Sequence, residues 1–283
     1  MTPRTYARVS ARRHRCLIVG AGCLALLLPG CAAAPAQPVG SVSTVTGADP
    51  STAAPPSTAP VSTPPATGSV EASPTPTPVD CSVARCVALT YDDGPSPLTN
   101  QLLDTFTARG AVATFFLNGR YASNDPTTVL RTRQLGMQIA NHTTNHPQLT
   151  QLSPDQIAME ISDTQQRIFA ITGEYPTLLR PPHGDTDANV AAIAGQQGLA
   201  VINWTDGPAD WENTDAATVT QLTLARVRPG AIILMHDTYQ WTVDAAPALI
   251  DGLQGQGYTL VTVDQIIGTP VAGQFYTDGQ APA

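Results

Sequence analysis

The stretch Leu89-Thr90-Tyr91-Asp92-Asp93-Gly94-Pro95-Ser96 joins the end of a short apolar run to two adjacent carboxylates and a turn. The run 87–89 predicts a buried strand, and Gly94-Pro95 marks its end. Neighbouring side chains at a strand end point in different directions, so Asp92 and Asp93 can serve one cleft as proton acceptor and metal ligand. The simpler alternative is an acid that caps the next helix. This stretch alone does not decide between them.

A second polar segment, 141–147, carries His142 and His146 four positions apart. One helical turn would place both imidazoles on the same face, a spacing that suits two ligands of one metal ion. Asp93 is the natural third ligand. The alternative is a pair of surface histidines in a polar loop. We favour the metal site because every histidine after residue 30 lies in a segment of this kind.

In three further segments, 179–184, 203–211 and 232–237, an apolar run that predicts a strand also ends in polar residues. They contribute an arginine, acids flanked by tryptophans, and a histidine. In a β/α barrel the catalytic groups gather at the carboxyl ends of the strands. We therefore expect all five polar segments to meet at one rim.

Strand and helix patterns alternate through the remainder of the chain. The strands are predicted at 86–91, 113–117, 138–141, 177–180, 200–204, 231–235 and 258–263. The helices are predicted at 97–109, 154–171, 188–197, 216–227 and 245–256, the second of them opening with the capping-box pattern Ser153-Pro154-Asp155-Gln156. Seven alternating units predict an α/β fold, with parallel strands in a closed or distorted barrel.

The first part of the chain does not share this pattern. Residues 1–31 combine arginines, a short apolar core and Leu28-Pro29-Gly30-Cys31, and so predict an export signal with a lipidated Cys31. The alternative is ordinary cleavage near residues 32–34 and secretion. Residues 32–79, rich in Pro, Thr, Ser and Ala, predict a disordered linker. Residues 80–268 form the predicted domain and 269–283 a C-terminal tail.

The net charge bears on the possible binding partners, and the cysteine content predicts a covalent link. The net charge is −8, and it becomes more negative once the arginine-rich signal is removed, which argues against nucleic-acid binding. Cys81 and Cys86 are the cysteines that remain after residue 31. In an oxidising compartment we expect them to form a disulfide, the alternative being two free thiols.

The polar segments also form a recognisable series. In chain order they are Thr90-Tyr91-Asp92-Asp93-Gly94-Pro95, His142-Thr143-Thr144-Asn145-His146, Arg180-Pro181-Pro182-His183-Gly184, Asp210-Trp211 and Leu234-Met235-His236-Asp237. Together they resemble the polysaccharide deacetylases of carbohydrate esterase family 4. The resemblance implies a single catalytic domain, a distorted barrel of seven parallel strands, and metal-dependent removal of acetyl groups from a glycan, usually from N-acetylglucosamine.

The resemblance also assigns the metal and the base. Asp93, His142 and His146 would bind one divalent ion; two imidazoles and a carboxylate favour Zn²⁺, with Co²⁺ and Ni²⁺ as alternatives. Asp92 would be the general base. Arg180 would pair with Asp92 and hold it ionised.

The same resemblance implies which residues act as the proton donor and which line the pocket for the acetyl group. His236 would protonate the leaving amine, and Asp210 would raise the pKa of its imidazole. His183, through its backbone N–H, would stabilise the oxyanion, while Trp211 and Ile233 would line the pocket for the acetyl methyl. Three positions depart from the family pattern, namely His183, Gly207 and Ile233.

Several alternatives stay open. The substrate is expected to be an acetylated polysaccharide, either peptidoglycan or a chitooligosaccharide. An O-deacetylase of acetylated xylan and an inactive glycan-binding domain are the two competing functions. We expect a monomer anchored by lipid to the outer face of the bacterial cytoplasmic membrane.

Overall fold

The computed structural model describes residues 79–280. The predicted export signal, Cys31 and nearly all of the predicted linker lie outside these residues. Within the described part of the chain, no helix is both long enough and apolar enough to span a bilayer.

A single curled sheet forms the centre of the domain. Its strands are β1 (Cys86–Gly94), β2 (Thr114–Leu117), β3 (Gln138–Asn141), β4 (Leu178–Leu179), β5 (Ala200–Ile202), β6 (Ala231–His236), β7 (Thr259–Leu260) and β8 (Phe275–Tyr276). The order is β6-β1-β2-β3-β4-β5-β8, with β7 paired to the start of β1, and every paired strand is parallel. The predicted distorted barrel of seven parallel strands is confirmed in the form of a half-barrel, and the predicted strands correspond to β1–β7.

The short strand β8 lies in the segment predicted as a C-terminal tail. It pairs with β5, and isolated bridges join Asp206 to Ile233 and Ala231 to Asp278. These two bridges join the segments that follow β5 and β8 to strand β6. Strand β6 lies at the other end of the strand order. The sheet therefore curls back on itself, and its carboxyl-terminal edge surrounds one cleft.

Helices cover the outside of the sheet. They are α1 (Thr99–Ala108), α2 (Gly119–Asn124), α3 (Pro126–Gln134), α4 (Pro154–Thr172), α5 (Ala188–Gln196), α6 (Ala216–Arg226), α7 (Gln240–Gly255) and α8 (Val263–Ile267), with short 3₁₀ turns at Leu149–Gln151 and Pro182–Gly184. The predicted capping box at Ser153 and Gln156 is confirmed.

Sequence reasoning missed α2, α3 and α8. The signal for α3 was present, because the side chain of Asp125 caps the helix and Pro126 occupies its first position. The predicted strand 258–263 is too long at its C-terminal end. It stops at Leu260, and Thr262 forms a capping box that starts α8.

Alternate residues of the strands belong to two different apolar layers. Leu89 and Ile233 pack in the cluster between the sheet and the helices, whereas Ala88 and Ile232 belong to the cluster inside the barrel. Because strand side chains alternate between faces, even-numbered residues of β1 and β6 point into the barrel. This alternation between odd-numbered and even-numbered residues decides which side chains reach the cleft.

The predicted disulfide between Cys81 and Cys86 is present in the structure, with an S–S distance of 2.08 Å. Both cysteines are buried in the inner apolar cluster. The bond therefore fixes the segment that leads into β1 at the end of the barrel opposite the cleft.

Candidate metal centre and catalytic cleft

Asp92 lies at the end of β1 and points into the barrel. The residue is 3% exposed to solvent. Arg180, which is fully buried, donates from Nη1 to Asp92 Oδ1 at 2.7 Å and to Thr90 Oγ1 at 2.7 Å. The guanidinium also donates to the carbonyl of Ile202 and lies over the Phe116 ring. The predicted pair between Asp92 and Arg180 is thus formed.

The pairing does not make Asp92 an unusually strong acid in this structure. Burial raises the pKa of Asp92 above its ordinary value, and the charges of Arg180 and His236 oppose that effect without cancelling it. The cause is the loss of hydration that accompanies nearly complete burial. That Arg180 holds Asp92 ionised stays a prediction.

Asp93, the next residue, turns to the other side and meets both predicted histidines. Asp93 Oδ1 lies 3.5 Å from His142 Nε2 and 3.4 Å from His146 Nε2. The three candidate ligand atoms are all within 4.8 Å of one another. Asp93 Oδ1 is buried and has no hydrogen-bond partner among residues 79–280, so a divalent cation among these atoms would satisfy it. The donor set fits the predicted metal.

The histidines do not lie on a helical turn, contrary to the prediction. Residues 142–147 form a loop in which Thr143 and His146 have positive φ angles of 65° and 58°. The Thr143 amide donates to the Asn141 side chain, and the His146 amide donates to the Thr143 hydroxyl. These local bonds hold the left-handed residues and bring the two rings to a centroid separation of 4.9 Å.

Each histidine is prepared to bind as a neutral imidazole. His142 Nδ1 donates to the Arg180 carbonyl oxygen at 2.7 Å, which leaves Nε2 directed at Asp93. Burial lowers the pKa of His142 to about 3. Burial also lowers the pKa of His146. Neutral imidazoles are the form that ligates metals.

His236, at the end of β6, faces the cleft and is held by Asp210. The ring nitrogen Nδ1 donates to Asp210 Oδ1 at 2.8 Å, and the His236 amide donates to Oδ2 at 2.7 Å. Burial alone would lower the pKa of His236. The hydrogen bond and charge of Asp210, with the charges of Asp92 and Asp93, outweigh it, so the pKa is raised.

Asp210 is itself fully enclosed by groups that sequence reasoning missed. The Thr242 hydroxyl donates to its Oδ2 at 2.8 Å, and Trp241 Nε1 donates to its carbonyl oxygen at 2.7 Å. Tyr239 lies 5.7 Å from the His236 ring and stacks on Trp241. These residues come directly after the polar segment that contains His236. Their closeness to that segment in the sequence was the signal that could have identified them.

The cleft above these groups has a volume of about 400 Å³. It is lined by Asp92, Asp93, His142, His146, His183, Trp204, Trp211, Leu234 and His236. The assignment of Ile233 to the pocket is wrong: Ile233 packs in the outer core, and Leu234 lines the cleft. A shift of one residue in a strand moves a side chain to the opposite face.

Two predicted pocket residues do reach the cleft. Trp211 is 46% exposed and its ring meets His236 edge to face at 5.7 Å. His183, with a φ of 61°, places its ring 4.7 Å from that of His146. Gly207, another departure from the family pattern, also has a structural reason: a Cβ there would lie 2.7 Å from the Leu234 carbonyl oxygen.

Asp237 fixes the turn that carries the two aspartates. The Thr99 hydroxyl donates to its carboxylate, and the Ser96 hydroxyl donates to its carbonyl oxygen at 2.7 Å. Burial raises the pKa of Asp237 to about 7. A Cβ on Gly94 would lie 2.6 Å from Asp237 Oδ2, so the turn needs glycine at that position.

Comparisons with known proteins agree with this geometry. The profile of the polysaccharide deacetylase family matches residues 80–202. The chain is 34% identical to a chitooligosaccharide deacetylase from Bradyrhizobium over 66% of its own length and 93% of that protein. It is 38% identical to a peptidoglycan-N-acetylglucosamine deacetylase from Listeria monocytogenes over 68% of its own length, but spans only 41% of that protein.

A solved structure gives the same result. The family 4 carbohydrate esterase from Streptomyces lividans, determined in complex with acetate, is 36% identical to the chain. The match covers 70% of this chain and 98% of that structure, with a TM-score of 0.62.

Proposed function

The chain belongs to the polysaccharide deacetylase family, and from this premise we propose that it hydrolyses N-acetyl groups on a cell-wall or extracellular polysaccharide. One observation carries the proposal. Asp92 and His236 are register partners in adjacent strands β1 and β6, and the Asp93, His142 and His146 set lies beside Asp92. The proposed base, the proposed acid and the candidate metal ligands therefore line one cleft.

The metal is proposed to be Zn²⁺, with Co²⁺ and Ni²⁺ as alternatives, held by Asp93, His142 and His146. When bound, a divalent ion polarises the acetyl carbonyl and lowers the pKa of water. Because Asp93 Oδ1 accepts no hydrogen bond within the described part of the chain, it is available for this role.

The other residues of the cleft handle protons and orientation. Asp92 accepts a proton from the attacking water, and Arg180 fixes the direction of its carboxylate. The His183 amide donates to the oxyanion as it develops. His236 then gives a proton to the leaving nitrogen, and Asp210 keeps its imidazole oriented and charged.

N-acetylglucosamine units of peptidoglycan or of a chitooligosaccharide are the proposed substrates, because two relatives are named for these activities. O-deacetylation of xylan is the second candidate, since an ester carbonyl fits the same groups. Acetate release from peptidoglycan fragments, chitooligosaccharides and acetylated xylan, measured in parallel, tests the proposal. Acetate from xylan alone would replace it with the second candidate. No acetate from any polymer would favour an inactive glycan-binding domain.

We also propose that the chain acts as a monomer tethered to the outer face of the cytoplasmic membrane through lipidated Cys31. The support for the lipid anchor is the sequence of residues 28–31, which follows a segment of arginines and a short apolar core. Cys31→Ser should release the protein to the medium or stop its processing. Unchanged retention in the membrane fraction would instead assign anchoring to the apolar segment.

A further inference from the structure

A second cavity of about 450 Å³ adjoins the catalytic cleft, since Asp93 and His146 line both. Its other walls come from the β1–α1 turn, the start of α2 and the histidine loop. They consist of Pro95, Ser96, Pro97, Asn118, Arg120, Tyr121, Thr144, Asn145 and Thr238. This volume is in the range of ligand-binding sites. A glycan whose acetylated sugar lies in the cleft can place its neighbouring sugar here.

Arg120 gives this second cavity a positive charge. Apart from the proposed metal ligands, it is the one charged residue among the described residues that line this cavity. Most described arginines form ion pairs, but Arg120 has no carboxylate within 4.0 Å among residues 79–280. Because the chain as a whole carries a net charge of −8, a local cation is needed to bind an acidic ligand.

The Arg120 side chain is also held in place. Its Nη2 donates to the Tyr121 hydroxyl at 2.7 Å, and its guanidinium carbon lies 4.7 Å from the centre of the Tyr121 ring. The Arg120 amide donates to the Thr144 carbonyl oxygen, which joins it to the loop of His146. A guanidinium has five N–H donors, so enough remain for a carboxylate to accept two in parallel.

We propose that Arg120 binds a carboxylate on the sugar next to the one being deacetylated, so that the enzyme prefers acidic glycans over neutral ones. This inference rests on the proposed function. In peptidoglycan, such a carboxylate comes from the peptide where one is attached to the lactyl ether of the neighbouring sugar. It comes from the lactyl group itself once the peptide is removed, because the attached peptide converts the lactyl carboxylate into an uncharged amide. A chitooligosaccharide has no such group. Arg120 would therefore determine the choice between these two substrate classes.

The test compares kcat/KM for metal-loaded full-length protein on three substrates. They are N-acetylglucosamine oligomers, peptidoglycan oligosaccharides with their peptides, and the same oligosaccharides after amidase treatment. For Arg120→Gln we expect the ratio of acidic to neutral kcat/KM to fall roughly tenfold, as for the loss of a charge-assisted pair. The matched control is Arg228→Gln, which removes an equal charge from the exposed pair with Asp278 and should leave the ratio unchanged.

The pattern across the three substrates shows where the carboxylate lies, or that Arg120 binds none. A loss limited to the peptide-bearing substrate places the carboxylate in the peptide, and a loss limited to the amidase-treated one places it on the lactyl group. An unchanged ratio in Arg120→Gln, or an equal change in Arg228→Gln, overturns the inference.

A binding measurement separates this inference from the proposed function. Dissociation constants of the same oligosaccharides are compared between Asp92→Asn and Asp92→Asn/Arg120→Gln, neither of which needs to turn over substrate. A roughly tenfold weaker binding of the acidic oligosaccharides in the double variant supports Arg120, even if the wild type releases no acetate. Equal binding overturns the inference even if deacetylation is observed.

Discussion

Replacing Asp210 with asparagine tests the proposed acid directly. The substitution preserves the shape of the side chain but removes its charge. In the wild type, Asp210 accepts bonds from the His236 ring, the His236 amide and the Thr242 hydroxyl. An asparagine amide group must present N–H donors to at least one of these donors. The hydrogen bond that holds the imidazolium is thereby weakened or lost.

The size of the effect follows from that bond. A hydrogen bond to a charged group contributes about 1.5–3 kcal/mol, and each pKa unit corresponds to about 1.4 kcal/mol. His236 should therefore lose about one to two pKa units, because burial still lowers its pKa while the raising effect of Asp210 is gone. Since His236 must be protonated to act as an acid, the alkaline limb of the rate profile should move to lower pH by that amount.

The assay is the pH dependence of kcat/KM for the wild type, Asp210→Asn and the control Thr242→Val. The control removes one donor to Asp210 and retains its charge, so its alkaline limb should stay close to that of the wild type. Metal content is measured in each sample. If the limb of Asp210→Asn does not move while metal and fold are intact, Asp210 does not control His236 and the assignment of the acid is wrong.

Four further variants test the remaining parts. His142→Ala should remove the metal and the activity, as measured by elemental analysis and acetate release, whereas His183→Ala should keep the metal because His183 is not among the three candidate ligands. Arg180→Met should lower the free energy of unfolding by about 3–5 kcal/mol in denaturant titration, since it leaves a buried carboxylate unpaired. Replacing Cys81 and Cys86 by serine should cost about 2 kcal/mol by the chain-entropy estimate, and an unchanged denaturation midpoint would contradict it.

Sequence reasoning predicted most strands well because five of the seven end in a polar segment that interrupts an apolar run. It was less successful where local bonds decide the backbone. The spacing of His142 and His146 suggested a helical turn, yet Thr143 and His146 adopt left-handed conformations stabilised by two side-chain hydrogen bonds. Spacing alone does not show such a loop, because a helical turn and a left-handed loop can both bring two residues four apart together.

The error at Ile233 has a different origin. The sequence indicated a strand that ends at a histidine, and the structure confirms it as β6. Which face of β6 enters the barrel depends on its pairing with β1, where Asp92 aligns with His236. Once that register is known, the alternation of side chains places Leu234 beside His236 in the cleft and Ile233 in the outer core.

The same pairing explains why the cleft could not be assembled from sequence alone. β1 and β6 are separated by four strands along the chain but are neighbours in the sheet. Their adjacency brings the proposed base and acid onto the same rim, and the bulge between Asp92 and Gly94 lets Asp93 turn towards the histidines. The motifs identify the chemical groups, whereas the register of one parallel strand pair places the proposed base and the proposed acid in the same cleft.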